Sequence, residues 1–348
     1  MLSAFVWAWN KRVLWADNSQ RESSVTPTIS VVVACRNEAK NLPLLLGSFI
    51  SQELQADEFI LIDDNSTDET FDILNTFAEK HSNVLVQKSE GVGKKMALRQ
   101  AILAAKSELI LCTDADCSVP KSWVQQVSLD WKKSPFDLLI LPVEMIGNDT
   151  LFTDLQRMEF ATLVASGGSA ANLGHAIICN GANLAFRKTS WLECAGELHD
   201  ELPTGDDVFL LHALKKRKAI IRFLSEKKAC VKTQACTSLS EFFSQRARWV
   251  SKAPAYTDKD TIVLACIVFV TNIWMLFLFV GMFFLPSFPY LYFLFFFSKW
   301  ISDAIFLMRI RSLFALKNLL SNSFLLSLLY PIYVLLSVCK SLKKERKP

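Results

Sequence analysis

Strong charge of either sign is missing from this chain. Its 348 residues carry 38 Lys and Arg against 34 Asp and Glu, a formal net charge of +4, so nothing electrostatic argues for nucleic acid as a partner. Histidine is scarce. His81, His175, His199 and His212 fit no ligand spacing and read as structural or surface residues. The nine cysteines form no C-x-x-C pair, their count is odd, and several lie in apolar, strand-like contexts. A disulfide framework and a zinc site are therefore not expected, and the cysteines read as reduced and buried in a cytosolic domain. The one glycine turn followed by lysines, "GVGKKMALRQAI" (91–102), lacks P-loop spacing. No cleavable signal peptide is evident. The opening "MLSAFVWAWNKRVLW" is too short to span a bilayer and is interrupted by Asn10, Lys11 and Arg12. It reads as an interfacial segment with Trp7, Trp9 and Trp15 near the headgroups, or as a packed N-terminal helix.

Apolar residues are abundant, at 51%, and unevenly placed. Residues 27–255 read as an ordinary mixed domain, after an apolar segment at 1–26. Residues 256–348 read as a membrane region with two or three apolar helices and a basic tail. Stretches near 261–285, 288–308 and 319–339 are each long enough for a hydrocarbon core of roughly 30 Å. Lys299 and Asp303, four residues apart in the second stretch, are expected to pair on one face, which lowers the cost of charge in lipid. Lys252 and Lys259 precede the first stretch, and Arg309, Arg311 and Lys317 follow the second, while the intervening turn carries no cation. That asymmetry puts the large domain in the cytoplasm. The tail "KSLKKERKP" is basic as well, yet three full spans would place it outside. Either the third stretch is re-entrant or interfacial, or the charge rule fails for the tail. This tail and "KKRK" (215–218) read as solvated faces or as contacts for anionic headgroups.

The mixed domain alternates strand and helix patterns. Strands are expected at 29–35, 58–63, 83–87, 108–114 and 137–143, with helices near 38–53, 68–80, 93–106 and 120–132. This implies an α/β domain with a mostly parallel sheet, whose ligands bind at the carboxyl ends of the strands. Three of those ends carry acids: "RNE" (36–38), "DDNSTDET" (63–70) and "DAD" (114–116). Alone, Asp114-Ala-Asp116 is as readily a solvated turn as a metal site. Acids gathered at one sheet edge without a cation would repel one another and raise their pKa values. Bound Mg²⁺ or Mn²⁺ with hydrogen-bonding ligand groups would explain the cluster. Ser66 or Thr67 can cap the following helix, with acid in its first turn. That leaves Asp63 and Asp64 for the ligand. Lys94 and Lys95 oppose the dipole of the helix they start; a nearby anion would offset this, and otherwise they are surface lysines.

Taken together, "VVVACRNE", "LIDDNSTDET", "GKKMALRQAI", "TDADCSVP", "NGANLAFRK" (180–188), "TGDDVFLLHAL" (204–214) and "QRARW" (245–249) resemble the family 2 glycosyltransferases, in the family's order and over about 29–250. The resemblance implies a GT-A fold followed by C-terminal transmembrane helices. It implies that Glu38, Asp63 and Asp64 hold the donor's base and ribose, and that Lys94 is the family's loop lysine. Asp114 would neighbour the ribose or diphosphate, and Asp116 would be the ligand of a divalent metal. Asp207 is similar to the general base that takes the acceptor's proton. Gln245, Arg248 and Trp249 match the motif that closes over the diphosphate and acceptor sugar, and Asn180 and Asn183 line the acceptor side. Two departures stand out: Asp206 replaces the usual glutamate before the base, and Asn65 takes a position often held by glycine.

The expected activity is inverting transfer of a sugar from a nucleotide-sugar donor to a lipid-linked or polysaccharide acceptor. The expected setting is a multi-pass protein of the cell membrane with its catalytic domain in the cytoplasm. A processive polysaccharide synthase subunit is the nearest alternative. A nucleotidyltransferase would not need Q-x-x-R-W beside a membrane span. A silent assembly subunit would have no use for Asp116, Asp207 and Arg248 together.

Overall fold

The computed structural model describes residues 25–202 and 204–345, together with Trp9. The expected interfacial segment 1–26 lies outside the described residues, save for Trp9 and its last two positions. The chain divides into two compact units. Among the described residues, a sheet unit holds 25–144, 167–202 and 204–234, and a helical unit holds Trp9, 145–166 and 235–345.

In the sheet unit, strands β1 (Ile29–Cys35), β2 (Glu58–Asp63), β3 (Val84–Lys88), β4 (Leu109–Cys112) and β5 (Leu138–Ile140) alternate with helices. These are α1 (Leu42–Ile50), α2 (Thr70–Lys80), α3 (Lys94–Ala104) and α4 (Trp123–Lys133). β6 (Val143–Ile146) lies outside this sheet and leads toward α5 (Leu151–Asn172). β7 (Leu184–Arg187), α6 (Lys188–Cys194), α7 (Asp206–Lys216), β8 (Ile221–Phe223) and β9 (Val231–Gln234) follow. The seven-stranded order is β3-β2-β1-β4-β7-β5-β8. β7 runs antiparallel to both its neighbours, and the other pairings are parallel. One edge of the sheet thus gathers the carboxyl ends of β1, β2 and β4 and the amino end of β7.

Local chemistry explains the departures from the expected elements. β5 ends at Ile140 rather than running to 143, because Pro142 has no N–H to continue a ladder. The first helix starts at Leu42, with proline in its first turn, since Asn37 turns the chain at φ 56. Leu42, Leu45, Leu46 and Phe49 form its buried stripe on the sheet. Phe49 packs against Phe59 at 4.8 Å and Trp123 at 6.5 Å. Truncating it to alanine would cost about 3–5 kcal/mol.

The helical unit contains the first part of α5, then α8 (Leu239–Val250), α9 (Lys259–Gly281), α10 (Phe288–Ile310) and α11 (Leu319–Glu345). The last three are each long and apolar enough to cross a membrane. Lys299 and Asp303 form the expected pair at 2.5 Å, and Ser327 Oγ donates to the same carboxylate at 3.1 Å. All nine cysteines are free thiols. Cys266 and Cys339 depart from the expected burial: they sit on exposed faces of α9 and α11, where an apolar solvent would accept a thiol.

Candidate active site

Two loops meet over the ends of β1 and β2. Asn37 N donates to Ser66 Oγ at 2.9 Å, and Thr67 N donates to Asn37 Oδ1 at 2.8 Å. Asp68 Oδ1 receives Thr70 N at 3.1 Å. Ser66 and Thr67 therefore tie one loop to the other instead of capping α2, and Asp68 serves the helix start. Asn65 has φ 54, a left-handed conformation that asparagine tolerates better than most residues, which accounts for its replacing glycine.

Asp63 and Asp64 are buried beneath these loops. Asp64 Oδ1 accepts the Gly93 N–H at 2.8 Å, and Arg36 stands 3.6 Å from its other oxygen. Gly93 has φ 99 and forms the N-cap of α3, so Asp64 fixes the turn that delivers Lys94. Asp63 Oδ1 is buried without a hydrogen-bond partner among the described residues, an acceptor that a donor ligand group would satisfy.

Lys94 Nζ reaches Asp114 Oδ1 at 2.6 Å across a half-exposed gap. Crowding around the ammonium opposes its charge, but Asp114 and Asp206, with a smaller contribution from Asp207, outweigh this and hold its pKa above the usual lysine value. Asp116 carries the opposite strain. Burial first, then the charge on Asp114, raise its carboxyl. Glu38 is raised by burial and, further down, by Asp116 and Asp114, although Asn41 donates to it at 2.7 Å. Glu38, Asp114 and Asp116 thus share one field. The thiols of Cys35 and Cys112 below are pushed far above the ordinary range, mainly by burial, so neither is a nucleophile or ready ligand.

Asp207 comes to the same edge on α7. That helix starts at Gly205, whose φ of 101 suits only glycine without strain. Asp207 Oδ2 accepts the Gly181 N–H at 3.1 Å, and Oδ1 accepts its own helix's Val208 N–H at 2.7 Å. Gly181 precedes β7, which is antiparallel, so its amino end lies beside the carboxyl end of β4. Asn180 turns this loop, its Oδ1 accepting Ala182 N at 3.0 Å.

Asn183 must be reassigned. It is fully buried, with Nδ2 donating to Pro142 O at 2.7 Å and Ala229 O at 2.8 Å. Its Oδ1 accepts Trp123 Nε1 at 2.8 Å. Both donor protons are engaged inside the protein, so Asn183 braces the loop and does not meet an acceptor. Lys95, which the sequence leaves as a surface lysine, is buried. Its Nζ donates to the carbonyls of Leu198 at 2.6 Å, His199 at 2.5 Å and Leu202 at 3.4 Å. It holds the segment that leads into Gly205 and Asp207, and burial lowers its pKa despite several nearby carboxylates.

Gln245, Arg248 and Trp249 stand on α8, in the helical unit. Arg248 is exposed, and no hydrogen bond or ion pair reaches its guanidinium among the described residues. Cys236 Sγ lies 3.6 Å from Gln245 Oε1. The residue between them, Arg246, is the one sequence reading passed over. It is buried, ion-paired to Glu159 at 2.5 Å, and lies against Phe242 at 4.6 Å and Trp249 at 4.2 Å. Burial opposes its charge, but Glu159 outweighs this and its pKa rises.

Residues 30–193 match the family model for glycosyl transferase family 2. A poly-beta-1,6-N-acetyl-D-glucosamine synthase of Staphylococcus epidermidis is 28% identical over 179 residues, 51% of this chain and 43% of that protein. A 4,4'-diaponeurosporenoate glycosyltransferase of Staphylococcus haemolyticus is 28% identical over 185 residues, covering 49% of each. The match therefore spans about half the length of these curated relatives. Among solved structures, a mannosyltransferase from Pyrobaculum calidifontis in complex with GDP-Man and Mn²⁺ superposes with a TM-score of 0.54 at 15% identity. That alignment covers 98% of this chain and 94% of the other. Residues 30–193 thus resemble the glycosyl transferase family 2, the fold is of the GT-A kind, and helices able to span a membrane follow.

Proposed function

We propose that the protein is an inverting glycosyltransferase that moves a sugar from a nucleotide-sugar to a lipid-linked or glycan acceptor at the cytoplasmic face of a membrane. The observation that carries this reading is the field around Lys94, whose ammonium pairs with Asp114 and is held charged also by Asp206 and Asp207. One cation thus ties the donor side of the edge to the proposed base.

Asp207, positioned by the Gly181 N–H, takes the proton of the acceptor hydroxyl as its oxygen attacks the anomeric carbon. The glycosidic bond to the diphosphate breaks as the new one forms, inverting the centre. Lys94 shifts from Asp114 toward the departing diphosphate and stabilises its charge. Glu38, Asp63 and Asp64 accept hydrogen bonds from the nucleoside. Gln245, Arg248 and Trp249 keep the role of binding diphosphate and acceptor that the resemblance implies.

Among the described residues, no group of three or more His, Cys, Asp or Glu is arranged to hold a metal ion. The donor set nevertheless fits a divalent cation held mainly by its substrate. Asp116 is a carboxylate whose ionised form is disfavoured by burial and by Asp114, with Lys94 offsetting this only in part, and Mg²⁺ or Mn²⁺ takes one or two carboxylates plus phosphate oxygens and water. Bound at Asp116, such an ion would neutralise charge on the leaving nucleoside diphosphate.

The similarity to a poly-beta-1,6-N-acetyl-D-glucosamine synthase favours a second reading, processive synthesis of a polysaccharide. A panel of UDP-, GDP- and dTDP-sugars, assayed with reconstituted protein and Mg²⁺ or Mn²⁺, tests the first. Release of a nucleoside diphosphate that Asp116→Ala and Asp207→Asn abolish supports it. Release of pyrophosphate contradicts it. Product length then separates single transfer from processive synthesis.

A further inference from the structure

Arg246 is 1% exposed, and the proposed reaction gives it no part. Its partners all belong to the same helical unit. Nη2 donates to Glu159 Oε2 on α5 at 2.5 Å. The other oxygen of Glu159 accepts the Tyr333 hydroxyl of α11 at 3.0 Å. Nη1 donates to Gln245 Oε1, and the guanidinium carbon lies 4.2 Å from the centre of the Trp249 ring. One buried side chain thus touches two residues of the Q-x-x-R-W motif, and two other helices hold that side chain.

The contact with Gln245 fixes which end of its amide is presented. Neighbouring residues on an α-helix point about 100° apart, and their side chains do not ordinarily meet. Here the arginine bridges them. Arginine only donates, so the amide end that faces it is the oxygen. The Cys236 thiol reaches the same oxygen at 3.6 Å. Cys236 is itself fixed by Gln156, which accepts its N–H and donates to its carbonyl, both at 3.0 Å. With Oε1 engaged, the half-buried Gln245 has its NH₂ group left to offer, and no acceptor takes those protons among the described residues. Two N–H donors suit phosphate oxygens, whereas a carbonyl oxygen would repel them.

Trp249 is seated by the same guanidinium, a cation over an aromatic face. Phe160 meets the indole as well, with 6.0 Å between ring centroids. Glu159 and Phe160 are adjacent on α5, so one turn of that helix steadies both Arg246 and Trp249.

We propose that Arg246 is a positioning residue for sugar transfer: anchored by Glu159 and Tyr333, it turns the Gln245 amide so that its NH₂ group meets the diphosphate, and it holds the Trp249 ring in place. The inference rests on the proposed function, which assigns diphosphate binding to Gln245 and Trp249. Lysine cannot do the same work. An ammonium keeps a charge opposite Glu159 but lacks the planar fork that spans Glu159 and Gln245 together.

Titration calorimetry on the full chain in detergent micelles tests it, with UDP, GDP and dTDP in Mg²⁺ or Mn²⁺ as probes. Arg246→Lys should weaken the diphosphate that the wild type binds by about three- to tenfold, the scale of one hydrogen bond. Tyr333→Phe keeps the ring on Phe242 and Phe243 and removes only the hydroxyl. It should weaken binding by about threefold, and it carries the same comparison if Arg246→Lys does not fold. In a Gln245→Ala/Trp249→Ala background neither substitution should change the affinity further, because their effect runs through those two side chains. Equal losses in both backgrounds would make Arg246 a packing residue and overturn the proposal. So would wild-type affinity in Arg246→Lys, even with a lowered unfolding temperature, and wild-type affinity in Tyr333→Phe would overturn the part given to Tyr333. If Gln245→Ala/Trp249→Ala binds the diphosphate as tightly as wild type, the inference falls while the transferase reading stands. If no diphosphate binds the wild type, that reading falls with it.

Discussion

Lys94 Nζ lies 2.6 Å from Asp114 Oδ1, with the N-terminal acids of α7 acting on the same ammonium. A diphosphate entering this edge competes with Asp114 for that cation. Lys94→Met should therefore weaken nucleoside diphosphate binding on the order of tenfold, the scale of one charge-assisted hydrogen bond. Titration calorimetry measures this, and unchanged affinity would remove Lys94 from the donor site.

Lys95 acts at one remove. Its three carbonyl acceptors fix the segment ahead of Asp207, so it is a positioning residue. Lys95→Met should lower kcat roughly tenfold while leaving donor KM within about twofold, because unsatisfied carbonyls cost on the order of 1–3 kcal/mol and loosen the base. A change in KM alone would assign Lys95 to the donor.

Asp116 gives a pH dependence with a definite sign. Its folded pKa lies above its unfolded one, so its favourable contribution is complete below the unfolded pKa and is lost as pH rises through the folded pKa. Asp116→Asn should therefore stabilise the ligand-free protein at neutral pH, with the gain shrinking toward acid. Thermal unfolding in detergent at several pH values measures it. A gain independent of pH would show that the ionised carboxylate is not the strained species.

Arg246 and Glu159 make a buried ion pair in which each covers the other's charge. Removing one partner, as in Arg246→Met, should cost about 3–5 kcal/mol, whereas the Arg246→Met/Glu159→Leu double variant should cost far less than the two singles summed. Denaturant unfolding in micelles resolves the two cases, and simple additivity would mean that the pair is not coupled.

Sequence reading succeeded where pattern and chemistry coincide. β1 and β2 have the expected bounds because continuous β-branched runs buried on both faces leave little else for them to form. The acids at their ends cluster because parallel strands must end at one edge. The antiparallel β7 carries no such signal in its own four residues, yet it is what brings Gly181 beside Asp114 and Asp116. Asn183 was placed on the acceptor side by the resemblance of "NGANLAFRK" to the family's motif, while burial, which the sequence does not print, committed its protons to Pro142 and Ala229. Lys95 passed as a surface lysine for the same reason, and Arg246 drew no reading at all. A charge on a helix reads as solvated until its neighbours are known. The phase of Arg246 beside the buried Phe242 and Ala247 was the available hint.

The most direct test of the account is turnover by Asp207→Asn in reconstituted membranes, measured as transfer of labelled sugar, with donor affinity measured alongside. The substitution keeps the side chain's shape and leaves an oxygen for the Gly181 N–H, but removes the base. The account predicts that transfer falls by roughly 10²–10⁴-fold while nucleotide-sugar affinity stays within a factor of about three. Transfer at the wild-type rate by Asp207→Asn would contradict it, because the acceptor's proton would then leave by another group.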